Sequence, residues 1–295
     1  MKRTTTLIAG LLLSSAAFCQ TRDSIDVTMF TVGYDYKVHT TDKGGNAVTD
    51  SLRTVLLVGH KMTKTMGYYT DWVDRLGERR DEYYLKQREM MAHVPTVFVR
   101  QEDKKMEVQE DVPVHHYTYT EPAKLGWTLT EDTLTISGYP CHKAQATYGG
   151  RTWTAWYTED IPTTAGPWKL CGLPGLIVKA EDTDSIFSFQ LFELTQVQRA
   201  ITRHEDPTTI KTKRDKFVQM RNKVFLDKRY MEDPLYYLTK EESMNGAYEF
   251  YGTIEDYKRL HGNVVSLDDC TYKVNGIAVP RFAKRRTHYQ PLELK

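Results

Sequence analysis

The chain lacks most of the features that mark a ready-made catalyst or a nucleic-acid binder. Its 40 Lys and Arg residues against 39 Asp and Glu leave no dominant sign. The signs are interspersed, so there is no electrostatic footprint for nucleic acid or an anionic bilayer. No G-x-S-x-G elbow, H-E-x-x-H helix or phosphate-cradling glycine loop is present, which removes the commonest hydrolase, metalloprotease and nucleotide-binding signatures. Cysteine is scarce, at four among 295 residues. No two of them form a C-x-x-C, which argues against thioredoxin-like redox chemistry. Beyond the first twenty residues no apolar run approaches the ~20 residues of a membrane span, and there is no internal repeat.

What is there begins at the N-terminus. Lys2 and Arg3 precede a short apolar stretch from Leu7 to Ala17, and Ala17 and Cys19 are small enough for the pockets of a signal peptidase. Polar residues follow from Gln20, the pattern of a cleaved secretion signal. Lipidation at Cys19 competes with cleavage, but it prefers a small preceding residue and Phe18 is bulky. The expectation is a signal peptide over 1–19 with cleavage near Cys19-Gln20. One β-rich domain over 20–295 would then work in the periplasm, in the medium or at the cell surface. Cleavage removes Lys2 and Arg3, leaving 38 basic against 39 acidic residues, a net of −1.

The mature length can bury a substantial core. Its 19 Tyr, 10 Phe and 5 Trp, beside many Thr and Val, suit a pleated, half-buried surface. Residues 25–39 and 52–58 read as paired strands around a loop at Gly44-Gly45-Asn46. Further strands are expected over 96–100, 112–119, 133–136, 141–148, 151–157, 176–180 and 185–194. Gly149-Gly150 suits a two-residue hairpin turn, which needs positive φ. Helical spacing of Tyr69, Trp72, Val73, Leu76, Tyr83 and Met90 predicts a helix over 68–91, weakened at Gly77. Phe217, Met220, Val224 and Met231 predict a second helix over 213–232. The fold class expected is mainly β with helices (α+β): a curved antiparallel sheet or half-barrel with one or two packed helices.

The most unusual stretch is 155–179, where Pro162, Pro167 and Pro174 alternate with Gly166, Gly172 and Gly175. Proline restricts φ and glycine opens it, so the combination specifies a loop of one shape. Gly172-Leu173-Pro174-Gly175-Leu176-Ile177 spells the motif of the GLPGLI family of secreted Bacteroidota proteins, and the chain resembles that family well beyond it. Cys141-His142-Lys143-Ala144, Gly150-Arg151, Ala155-Trp156-Tyr157-Thr158, Ile161-Pro162, Gly166-Pro167-Trp168 and the ending Pro291-Leu292-Glu293-Leu294 follow the same pattern in order. The resemblance implies export and brings no established activity. The general plan is also similar to the lipoprotein-carrier half-barrels of the Gram-negative periplasm, an analogy of fold alone. Family context adds four Asp-Ser/Thr sequences of the kind glycosylated in exported Bacteroidota proteins, at Ser24, Ser51, Thr133 and Ser185.

Two readings of the loop stand side by side: a tight buried connection, or a preformed binding rim made by Trp156, Trp168, Gly172, Leu173, Pro174 and Gly175. An extracytoplasmic setting favours a disulfide between Cys141 and Cys171 with Cys270 free, against buried thiols as the alternative. His60, Met62 and Met66 offer a weak copper(I) site of soft ligands, against core methionines and a surface histidine. Glu181, Asp182 and Asp184 read as a solvated hairpin turn. The function expected is a binding or accessory protein without a cofactor, whose partner is an outer-membrane protein or a small apolar ligand. An enzyme with an unrecognised hydrolytic site and a copper-binding protein are the alternatives. A large apolar cavity would favour the small ligand, and an exposed aromatic patch the protein partner.

Overall fold

Alternation of apolar and polar side chains decides most of the chain. The computed structural model describes residues 23–42, 44–76, 94–112, 115–203, 209–226, 271–274, 277–280 and 289–295. A first meander contains β1 (Asp23–Thr41), β2 (Ala47–Gly59), β3 (Met62–Gly67), β4 (Thr96–Arg100), β5 (Lys105–Val112) and β6 (His115–Pro122). A second contains β7 (Thr128–Ile136), β8 (Tyr139–Tyr148), β9 (Arg151–Thr158), β10 (Leu176–Asp182) and β11 (Phe187–Thr195). Antiparallel pairing of β1 with β11 joins the two into one sheet, ordered β6-β5-β4-β3-β2-β1-β11-β10-β9-β8-β7. Short strands β12 (Ala200–Arg203) and β13 (Ile210–Lys211) add to β1 and, in parallel, to β6. A separate hairpin pairs β14 (Thr271–Val274) with β15 (Ile277–Pro280).

This topology forces curvature. Strands β6 and β7 are ten positions apart in the sheet, so a flat sheet would separate them by ~48 Å at ~4.8 Å per strand. The chain joins them through residues 123–127 alone, which reach at most ~22 Å when fully extended. The sheet must therefore bend until its two wings face each other. Side chains confirm the approach: Tyr148 OH, at the end of β8, donates to Glu121 Oε2 on β6 at 2.8 Å. The fold is mostly β, a large open curved sheet that does not close.

The concave side is filled by aromatic side chains. Tyr36 stacks on Phe189 with ring centroids 4.5 Å apart, and Trp153 contacts Phe187, Phe189 and Trp168. Tyr34 OH donates to the buried Ile177 carbonyl at 2.7 Å, which satisfies a phenol that has no access to water. A smaller cluster of Val55, Leu57, Met66 and Ile201 is separate from this core. In β2, Leu56 and Val58 belong to the main core, so alternate residues of one strand serve two cores.

Two helices accompany the sheet among the described residues. α1 (Tyr68–Leu76) begins where its periodicity starts, and the rest of the expected 68–91 helix lies outside the described residues. Asp71 of α1 is buried and pairs with Arg199. α2 (Arg214–Phe225) buries Phe217, Val218, Arg221 and Phe225. Its inward stripe therefore includes an arginine, which apolar periodicity could not count. Strands β3, β5 and β12 to β15 are additional to the expected ones, and the strand expected over 112–119 falls across the end of β5 and most of β6; β3 is short and β5 carries charge on its outward residues. The expected signal segment and Cys270 lie outside the described residues.

Trp153 is wholly buried at the centre of the aromatic core. Trp153→Ala is expected to lower stability by about 3–5 kcal/mol, read as a shifted urea midpoint with an unchanged slope.

Candidate functional site

The Gly-Pro loop between β9 and β10 folds inward on itself. Gly172 N donates to Thr164 O at 2.7 Å, Leu176 N to Ile161 O at 3.2 Å and Ile177 N to Ala165 O at 3.3 Å. Gly172 sits at φ +96°, a conformation that side chains disfavour. Gly175 is needed for a different reason: a Cβ there would collide with the Thr158 carbonyl. Trp168, not a glycine, takes φ +53°, unusual for a bulky residue. The left-handed kink turns Trp168, Lys169 and Leu170 inward together, and all three are buried.

The outer face of the loop is one wall of an open groove of about 380 Å³, formed by Pro162, Thr163, Thr164 and Pro174 with Met29 and Gln101. A second depression of about 490 Å³ shares Gln101 and is lined by Ile25, His60, Lys61, Met62, Arg100 and Glu102. The two together run along one end of the sheet, apolar at the methionines and prolines and of mixed charge at Lys61, Arg100 and Glu102.

The expected rim needs correction. Trp168 and Leu173 are buried and Gly175 is enclosed; of the six rim residues, Gly172 and Pro174 are exposed and Trp156 is partly so. Trp156 does not join Trp168, because it belongs to the outward set of β9 while Trp153, Ala155 and Tyr157 belong to the inward set. The expected disulfide is absent, and Cys141 and Cys171 are both buried free thiols. Their surroundings differ. Cys141 Sγ lies 3.4 Å from Tyr139 O, whereas Cys171 sits beneath Trp127, whose Nε1 donates to its carbonyl at 2.8 Å. Burial pushes the Cys171 thiol up to about 12 and raises Cys141 as well, which suits unreactive core thiols.

His60 is exposed and Met62 lines the same depression, but Met66 is wholly buried among Val55, Leu57 and Ile201. Among the described residues no cluster of three His, Cys, Asp or Glu side chains is arranged to hold a metal. The hydroxyl residues of the four Asp-Ser/Thr sequences, Ser24, Ser51, Thr133 and Ser185, are all exposed. The acidic turn is not wholly solvated. Asp182 is buried, accepts from Ile186 N and Phe187 N at 2.8 and 2.7 Å, and pairs with Arg151 at 2.9 Å.

The strongest electrostatics lie where residues 289–295 cross the concave side. Lys169, wholly buried, places Nζ 3.0 Å from both carboxylate oxygens of Glu293, 2.8 Å from Glu121 and 2.7 Å from Tyr119 OH. Arg214 reaches Glu293 at 2.8 Å and Glu121 at 3.1 Å, and Arg221 reaches Glu110 at 3.1 Å and Glu293 at 3.6 Å. Three cations thus meet three carboxylates, with Tyr119, Tyr148 and Trp168 faces around the Lys169 ammonium. Burial works to raise the pKa of Glu293, but Lys169, Arg221 and Arg214 outweigh it and hold the carboxyl below its ordinary value. Burial dominates at Glu110, whose pKa is raised against the pull of Arg221. Lys169 and Glu293 have no exposed surface, so no substrate reaches them while the segment is in place. Residue order alone gives the Pro291–Leu294 ending no role, because its partners Lys169, Arg214 and Arg221 lie 124, 79 and 72 positions from Glu293.

Residues 150–179 match a family model. It is described as a protein of unknown function (Porph_ging), a Bacteroidota-associated domain. The match begins at the Gly149-Gly150 turn and includes β9 and the whole Gly-Pro loop. No curated protein matches the chain. Two crystal forms of PNGF-II are similar at TM-scores of 0.41 and 0.40 with 13% identity, over 66% of this chain and 33% and 32% of theirs. The chain thus spans about a third of the length of PNGF-II. A DUF1329 family protein from Desulfovibrio piger is similar at a TM-score of 0.24 and 10% identity, over 57% of this chain and 86% of that one. At these TM-scores the likeness bears on neither mechanism nor ligand.

The Porph_ging segment therefore holds the loop, its constrained glycines Gly166, Gly172 and Gly175, and Lys169. Gly175→Ala is expected to cost about 1–3 kcal/mol through the clash with Thr158, measured by chemical denaturation. Glu293→Gln leaves buried cations short of a partner and is expected to cost about 3–5 kcal/mol at neutral pH. The sign with pH follows from linkage. A carboxyl whose pKa is depressed on folding contributes stability above its ordinary value, and the contribution is lost as pH falls. Wild type should therefore lose stability below about pH 4.5, the ordinary glutamate value, by a component that Glu293→Gln lacks. Thermal melts of both proteins from pH 7 to pH 3 check this.

Proposed function

We propose that the protein is an extracytoplasmic binding or accessory protein, of the GLPGLI kind, that holds a ligand or an outer-membrane partner in the groove beside the Gly-Pro loop. The observation that carries this reading is the loop's division of labour. Its inner face is locked into the core, while its outer face, Pro162 to Thr164 and Pro174, stands as a fixed wall of an open groove. A rigid wall keeps the entropy cost of binding low.

A filled concave side supports a groove binder over a carrier with a deep apolar cavity, because Trp153, Phe187, Phe189 and Trp168 occupy the space a half-barrel carrier would offer to lipid. The Bacteroidota-associated domain and the short apolar leader read from the sequence support an extracytoplasmic location. Among the described residues no helix is long and apolar enough to cross a membrane. A copper reading keeps His60 and Met62 at the second depression and loses Met66 to the core.

Native mass spectrometry of the protein purified from its own cell envelope, compared with the same sample denatured, tests the proposal. The expected result is a non-covalent adduct, a small molecule or a co-purifying protein, that disappears in Thr163→Trp, where the indole fills the groove. A wild-type protein with no adduct, or an adduct that Thr163→Trp retains, would sink it.

A further inference from the structure

Residues 289–295 are held the way a ligand is held. The segment lies in no sheet, yet the main-chain oxygens of Pro291, Glu293 and Lys295 are each read by a side chain. Arg151 donates to Pro291 O at 3.1 and 2.9 Å, Asn222 to Glu293 O at 2.8 Å, and Arg214 to Lys295 O at 2.8 Å. Leu294 N donates to Gly149 O at 2.6 Å. The Glu293 side chain enters a socket built by Lys169, Arg214 and Arg221. The floor is shaped for close approach, since a Cβ on Gly149 would come within 2.9 Å of Glu293 Cγ and one on Gly150 within 3.0 Å of Leu294 Cβ.

Charge gives this slot its selectivity. Without Glu293 the socket holds three cations against the two carboxylates of Glu110 and Glu121, an unbalanced positive charge in a buried place. Six charges, four of them buried and Arg214 and Glu121 partly so, are a poor source of stability, because apolar side chains of the same shape generally do as well. What they supply is discrimination: an incoming segment satisfies the socket only with a carboxylate at one register position.

We propose that this slot is a peptide-recognition site for an extended segment of a partner protein bearing glutamate two residues after proline, and that residues 289–295 are its built-in occupant. The occupant belongs to the same chain, so it competes intramolecularly with any partner. A partner therefore enters only by bringing contacts of its own beyond the slot. Exchange of the segment between two copies reproduces the same contacts and loses association entropy, so it is the weaker alternative.

The test uses the full chain and a fluorescent hexapeptide, Gln-Pro-Leu-Glu-Leu-Lys, read by anisotropy. Wild type should bind it weakly. Glu293→Gln, whose own segment is loosened, should bind at least about tenfold tighter and melt at a higher temperature with the peptide present. Adding Lys169→Met to that variant should abolish the gain. A peptide with Gln in place of Glu should bind at least about thirtyfold more weakly, the loss expected when a buried, hydrogen-bonded charge pair is broken. Should Glu293→Gln not fold, Glu293→Asp keeps the charge, shortens the reach and should show the same gain. Equal binding of the Glu and Gln peptides, or no gain in a folded variant, would overturn the proposal. So would wild-type dimers formed through exchanged segments, detected by light scattering and lost in Glu293→Gln.

Discussion

The crossing from β6 to β7 is the constraint on which the rest depends. Five residues join strands that sit ten positions apart in the sheet, and the limited reach of an extended backbone leaves the sheet no choice but to curl. Curling creates a concave space, and an unfilled space of that size would be severely destabilising. The aromatic residues of β1, β9 and β11 fill one part of it, the Gly-Pro loop another, and α2 with residues 289–295 the remainder. The loop is therefore best understood as a filling element whose outer surface lines an open groove.

The polar centre follows from that enclosure. A loop turned inward by a left-handed Trp168 carries Lys169 into a place without water, where an ammonium must find carboxylates or lose its charge. Glu121 comes from β6 and Glu293 from the segment at 289–295, and Arg214 and Arg221 of α2 balance the surplus. Each ion is costly alone and tolerable only in the set, which couples the loop, β6, α2 and the segment at 289–295 into one unit. The Arg151–Asp182 pair beside Pro291 extends the same coupling to the turn between β10 and β11.

Much of the scaffold was legible from residue order. Strands β1, β2, β4, β8, β9, β10 and β11 fall close to where alternation put them. Gly149-Gly150 takes the two positive φ values that its turn type demands. The failures share a cause, which is that they concern partners distant in the chain. An extracytoplasmic setting favours pairing Cys141 with Cys171, which flank the densest motif region, yet each packs into its own surroundings. Met66 looked like a soft ligand beside Met62 and is a core residue, because β12 brings Ile201 over it. Trp168 looked like a rim aromatic, and nothing local announces a left-handed tryptophan. Arg221 faces inward beside Phe217 and Val218, which apolar spacing cannot show because its carboxylate partner lies 111 residues away.

By itself, then, the sequence determined the class of secondary structure, the hairpin turns, the rigidity of the Gly-Pro loop and the absence of a recognisable catalytic motif. These rest on local physics: alternation across a pleated strand, and the φ limits of proline and glycine. Tertiary structure alone decided which loop residues face inward and that Lys169 meets a carboxylate 124 positions away. It also decided that the closing segment lies in a slot lined by cations. Burial and charge pairing are properties of the enclosed volume, and that volume exists only once the two wings of the sheet have been drawn together.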